Sequence, residues 1–107
     1  ALTPRFHPNA QQIAFMSYER NEPRVYLFNL QSGRSEILGS FGGMTLSPRF
    51  SPDGRSVVLS AMRGGDANIY LVDLGSRRER QLTSGAGLDV SPSFSPDGAQ
   101  IVFNSDR

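Results

Sequence analysis

The chain has 107 residues, 37% of them hydrophobic, and eleven basic against ten acidic side chains leave a net charge of +1. That is one small domain's worth of chain with enough apolar surface for a core, which excludes wholesale disorder. The near-neutral balance excludes the basic footprint of a nucleic-acid or anionic-membrane binder. Absence of cysteine excludes disulfides and thiolate metal sites, and no apolar run approaches the ~20 residues of a membrane-spanning helix. Neither Ala1-Leu2-Thr3-Pro4 nor Ser105-Asp106-Arg107 reads as a natural terminus, so both ends are expected to be cut from something longer.

In chain order, Pro4-Arg5-Phe6-His7-Pro8-Asn9 opens a pattern that returns as Pro48-Arg49-Phe50-Ser51-Pro52-Asp53 and as Pro92-Ser93-Phe94-Ser95-Pro96-Asp97, each step being 44 residues. Tyr26 and Tyr70, Leu30 and Leu74, Leu38 and Leu82, and Ser47 and Ser91 keep the same offset. A gapless period of this length points to a repeat architecture. Within a repeat every signal is for strands. A short extended piece (A) lies near 3–6, 47–50 and 91–94, and B follows near 11–17, 55–61 and 99–105. C lies near 24–30 and 68–73, and D near 35–38 and 79–82. Between A and B, Ser51-Pro52-Asp53-Gly54 reads as a tight turn, with proline at its second position and glycine supplying positive φ. The stretch Arg63-Gly64-Gly65-Asp66-Ala67 reads as the B-to-C loop, and Gly75-Ser76-Arg77 as the C-to-D turn.

Val57 and Leu59 fall on one face of strand B and Val58 on the other, and Ile69, Tyr70, Leu71 and Val72 alternate likewise in C. A strand apolar on both faces must be covered on both. Proline at the start of A makes that strand a sheet edge, because proline cannot donate to a central ladder. Four-stranded meanders stacked face to face satisfy both demands. The fold class is therefore all-β: a β-propeller fragment of about two and a half antiparallel blades, one partial domain over 1–107 with repeats 4–47, 48–91 and an incomplete 92–107. Phe6, Phe50 and Phe94 are expected to plug the gaps between blades near the axis, and strand 100–104 to leave an apolar edge open.

The phrase Pro92-Ser93-Phe94-Ser95-Pro96-Asp97-Gly98, the apolar strand after it and Ser105-Asp106-Arg107 resemble the TolB-type propeller repeat. A related motif occurs in the propellers of prolyl-oligopeptidase-like and tricorn-like serine peptidases, so a gating propeller of such a peptidase is the alternative reading. More specific are Pro23-Arg24-Val25-Tyr26-Leu27-Phe28-Asn29-Leu30, Gly33-Arg34, and Gly43-Met44-Thr45 with Pro48 to Gly54, which resemble the TolB family as found in alphaproteobacteria. The resemblance implies a soluble periplasmic, non-enzymatic protein of the Tol–Pal cell-envelope system. It implies a six-bladed propeller whose partners are the lipoprotein Pal, other Tol proteins and colicins. The first copy departs from the pattern: His7 replaces the serine, and Asn9-Ala10 replaces Asp-Gly, at an expected strain of ~1 kcal/mol in that turn.

No Gly-x-Ser-x-Gly elbow is present, and no His/Cys/carboxylate set has metal-ligand spacing. His7, the single histidine, falls in an A-to-B turn and reads as a surface residue; Asp53 and Asp97 are equivalent turn residues of different repeats. No catalytic, cofactor or metal residue is expected, and protein binding remains. The D-to-A connections, Gly39 to Leu46 and Ser84 to Val90, fall with the B-to-C loops on one face of the disc. Phe41, Met44, Thr45, Leu88 and Asp89 are the candidate protein-binding residues, against the competing expectation that Met44, Leu46, Leu88 and Val90 pack between blades. Charge reversal at Asp89, or Met44→Glu, is expected to weaken binding without moving the melting temperature.

Overall fold

The computed structural model describes residues 2–8, 12–19, 22–38 and 44–106. Among them there is no helix, and ten strands make three antiparallel sheets. The first sheet runs β1 (Leu2–Phe6), β2 (Gln12–Glu19), β3 (Glu22–Asn29) and β4 (Ser35–Ile37). The second repeats that order with β5 (Met44–Phe50), β6 (Ser56–Arg63), β7 (Asp66–Asp73) and β8 (Glu79–Gln81). The third pairs β9 (Asp89–Phe94) with β10 (Ile101–Ser105). Strands β1, β5 and β9, which carry the repeat's Pro4, Pro48 and Pro92, are edge strands, where a proline's missing N–H leaves no ladder bond unmade.

Val25 and Leu38 of the first sheet pack against Val57, Leu59, Ala61, Tyr70 and Val72 of the second, with Phe50 and Leu74 at the margin. These are one face of β6 and β7. The other face, with Ile69 and Leu71, looks across a hollow to Phe94, Ile101 and Phe103 of the third sheet. Apolar residues on both faces of a strand thus translate into cover on both sides.

Two local features exceed what the sequence pattern predicts. The B-to-C loop of the second sheet is a two-residue hairpin. Arg63 pairs with Asp66, and Gly64 and Gly65 both take positive φ, at 56° and 91°, as the tight mirror-image turn demands. Strands β5 and β9 begin three and two residues earlier than expected and are broken by a bulge. Pairing jumps from Leu46↔Ser60 to Arg49↔Val58, and from Val90↔Asn104 to Ser93↔Val102. Ser47 and Ser91 sit at the bulges with φ of 55° and 54°. The following prolines, Pro48 and Pro92, are fully buried. A left-handed non-glycine residue costs ~1–2 kcal/mol, and seating the proline ring in the core offsets it. The bulge also flips the alternation of the inner strand, which decides which side chains turn inward near its start.

Candidate protein-docking face

The D-to-A connection between β8 and β9 is stitched to its neighbours by backbone geometry. Ala67 N–H donates to the Gly87 carbonyl at 2.9 Å, and Gly87 N–H donates to Asp66 Oδ1 at 3.1 Å. Leu88 N–H donates to Asp106 Oδ1 at 2.7 Å, and Ala67 and Leu88 form a parallel bridge. The D-to-A loop and the B-to-C turn therefore share one face. Asp106 belongs to the Ser-Asp-Arg ending, whose role is now visible: Ser105 Oγ donates to Asp89 Oδ1 at 2.7 Å while Asp106 holds the loop above it. Ser60 Oγ donates to the Asp89 carbonyl at 2.8 Å from the second sheet.

The five candidate residues divide. Leu88 is 37% exposed beside the bridge, and Met44 is half-buried at the start of β5. Thr45 is buried, and its Oγ1 accepts the Val25 N–H at 2.7 Å, tying the second sheet to the first. Asp89 is 0% exposed and held by Ser105. The expectation of an accessible Asp89 is therefore corrected. The bulge after it turns its side chain inward, where reversing its charge would bury an unpaired cation and unfold the blade. Phe41 lies outside the described residues, as do most of its loop and the Asn9-Ala10 turn. Met44, Leu46 and Val90 are partly buried. Sequence reasoning missed Asp66, Ser105 and Asp106 as the residues that shape this face. The Ser-Asp-Arg motif was the available signal.

On the opposite face lie the A-to-B turns. Ser51 Oγ donates to Asp53 Oδ1 at 2.5 Å, Arg55 N–H donates to the same oxygen at 3.0 Å, and Ser56 N–H donates to Ser51 Oγ at 3.0 Å. Ser95, Asp97, Ala99 and Gln100 repeat this set at 2.6, 3.0 and 3.0 Å. The serine hydroxyl first, and the backbone N–H second, hold both carboxyls below the usual carboxylate range. In the first repeat His7 replaces the serine and does something else. Its Nε2–H donates to the Gly54 carbonyl at 2.6 Å, and its ring meets Phe50 edge-on with centroids 5.0 Å apart. The side chain read as a surface turn residue is a link from the first sheet to the second. Among the described residues, no three His, Cys, Asp or Glu side chains gather to hold a metal ion.

Blades of this design, with this turn network and these edge prolines, match the TolB beta propeller domain across residues 1–107. The chain belongs to that family. It is similar to the Tol-Pal system protein TolB of Gluconobacter oxydans, 65% identical over 46 residues, which are 43% of this chain and 10% of that protein. Its fold superimposes on TolB from Acinetobacter baumannii with a TM-score of 0.84 at 39% identity, covering 99% of this chain and 27% of that one. The tricorn protease shares the fold at a TM-score of 0.72 and 25% identity, over 91% of this chain and 10% of the protease. The chain thus spans a small part of each relative.

Proposed function

We propose that this chain is part of a non-enzymatic, protein-binding propeller of the Tol–Pal cell-envelope system, working in the periplasm. On this reading it docks the lipoprotein Pal, and colicin segments, on the face that carries the D-to-A and B-to-C connections. The observation that carries the reading is the preformed loop face: Gly87 and Leu88 are pinned by Asp66 and Asp106, so an exposed Leu88 is presented at little ordering cost. Met44 contributes apolar contact, while Thr45 and Asp89 act from below by fixing the strands. Family membership supports the Tol–Pal assignment. The peptidase-gate alternative draws on the shared repeat motif and the tricorn likeness, and would require a hydrolase domain elsewhere in the protein.

Calorimetry of the full-length protein against Pal tests the reading. Leu88→Glu and Met44→Glu should each weaken binding by about tenfold or more, as a charge placed in an apolar contact does, with little change in melting temperature. Unchanged affinity in both variants moves docking off this face.

A further inference from the structure

The hollow at the other end of the inner strands is lined by different chemistry. Strands β1, β5 and β9 lie side by side, and the repeat brings positions 5, 49 and 93 to equivalent places on them. Two of the three are arginine and the third is serine. Arg5, Arg49 and Ser93 line an open hollow of about 450 Å³, together with the rings of Phe50 and Phe94 and the A-to-B turn prolines. Among the described residues neither guanidinium has a hydrogen-bond or ion-pair partner, and Arg5 Nε is buried without any acceptor. A buried donor left unsatisfied is destabilising, and the two like charges repel across the site.

We propose that this hollow is a carboxylate-binding site, in which Arg5 and Arg49 grip an acidic side chain of an extended peptide segment from a partner protein. A carboxylate between the two arginines supplies the missing acceptor and neutralises the repulsion in one step, and guanidinium forks bind carboxylates in two-bond geometry. The rest of the lining selects a peptide over a free inorganic anion. Phe50, Phe94 and the prolines offer apolar contact beside the charges, and the volume exceeds what one small ion fills. Burial first, and the charge of Arg5 second, lower the pKa of Arg49, which remains a cation at the mouth of the hollow. Asp53 and Asp97 flank a neighbouring hollow, but Ser51 with Arg55 N–H, and Ser95 with Ala99 N–H, already occupy their Oδ1 atoms. The site lies at the end opposite the loop face and is independent of the docking reading above.

The test is a fluorescence-anisotropy titration of the full-length protein with a labelled peptide carrying two glutamates beside a phenylalanine, and with its glutamine counterpart. The glutamate peptide should bind at least tenfold tighter, and Arg49→Gln should remove most of that difference while leaving the melting temperature in place. Arg49→Lys should restore only part of it, because lysine lacks the fork. Arg5→Gln should act in the same direction, and Arg49, being exposed, provides the reading if Arg5→Gln fails to fold. Millimolar inorganic phosphate should not displace the peptide. Equal binding of the two peptides, an unaltered Arg49→Gln, or displacement by phosphate at the peptide's own concentration would each overturn the proposal.

Discussion

The two gaps between sheets are built from equivalent residues and end differently. Leu38 and Leu82 are 44 positions apart, and each N–H donates at 2.8 Å to the matching carbonyl, Val25 or Ile69. Leu38 is 1% exposed, because a full four-stranded sheet covers it. Leu82 is 37% exposed, because β9 and β10 cover only the inner half of the same face. The uncovered part is the hollow bounded by Leu71, Leu82, Ile101 and Phe103. Identical side chains at equivalent positions thus carry unequal weight, set by the neighbour. This is how energy is shared out in repeat folds, where each interface counts separately.

The largest expected effect follows at once. Leu38→Ala should cost about 3 kcal/mol, as a leucine removed from a closed core does, and Leu82→Ala under about 1 kcal/mol. Urea melts of the two variants decide it. Equal losses would mean that the gap beside Leu82 contributes as much as the closed one beside Leu38.

The A-to-B turns give a second comparison. Gly54 and Gly98 have nearly the same φ, 73° and 76°. A Cβ on Gly98 would meet only Pro52 at 3.6 Å, whereas a Cβ on Gly54 would overlap the His7 imidazole. Gly98→Ala should cost about 1 kcal/mol from φ alone, and Gly54→Ala about 2–3 kcal/mol, since the cross-sheet hydrogen bond is also lost. In a His7→Ser background the gap between the two alanines should close. A gap that persists would show that the His7 link is not what distinguishes the turns.

What could be read in advance separates along similar lines. Edge prolines, two-faced apolar strands and turn spacing are local signals, and the sheets follow them. The bulges at Ser47 and Ser91 are not local: serine has no preference for left-handed φ, and only the burial of the next proline selects it. Asp89 was misplaced for the same reason. Its inward turn depends on that bulge, and its acceptor oxygen is satisfied by Ser105 on the partner strand. His7 was legible as a departure from the repeat, but its partner Gly54 lies 47 residues away.

A smaller effect should appear in acid. Asp53 and Asp97 have depressed pKa values in the folded chain, so their contribution is present above the unfolded value near 4 and is lost as pH falls through the folded values. Thermal melts between pH 7 and pH 2 should show the loss only below about pH 4. The double variant Asp53→Asn, Asp97→Asn should flatten that limb. An unaltered limb would assign it to other carboxylates, Asp73 first among them, whose carboxyl is held low by the Ser76 N–H.

The smallest effect concerns the C-to-D turns, where Gly33 and Arg77 occupy equivalent positions with φ of 72° and 62°. Glycine takes that conformation freely; arginine does so at a cost of ~1–2 kcal/mol. Arg77 stays because its guanidinium reaches Glu36 of the first sheet at 2.6 Å, a further link between the two sheets beside those of Thr45 and His7. Both partners are exposed, so the ion pair contributes only about 0.2–1 kcal/mol. Arg77→Gly relieves the strain, loses the pair and adds about 0.5–1 kcal/mol of unfolded-chain entropy. The three nearly cancel, and the net change at low salt should lie within about 0.5 kcal/mol of zero. Salt breaks the tie. At about 1 M the pair is screened in the wild type and is absent from the variant, leaving strain against entropy, so the variant should gain on the wild type as salt rises. A loss above about 1 kcal/mol at both salt concentrations would mean that the stem of Arg77, packed along the first sheet, carries the link rather than its charge.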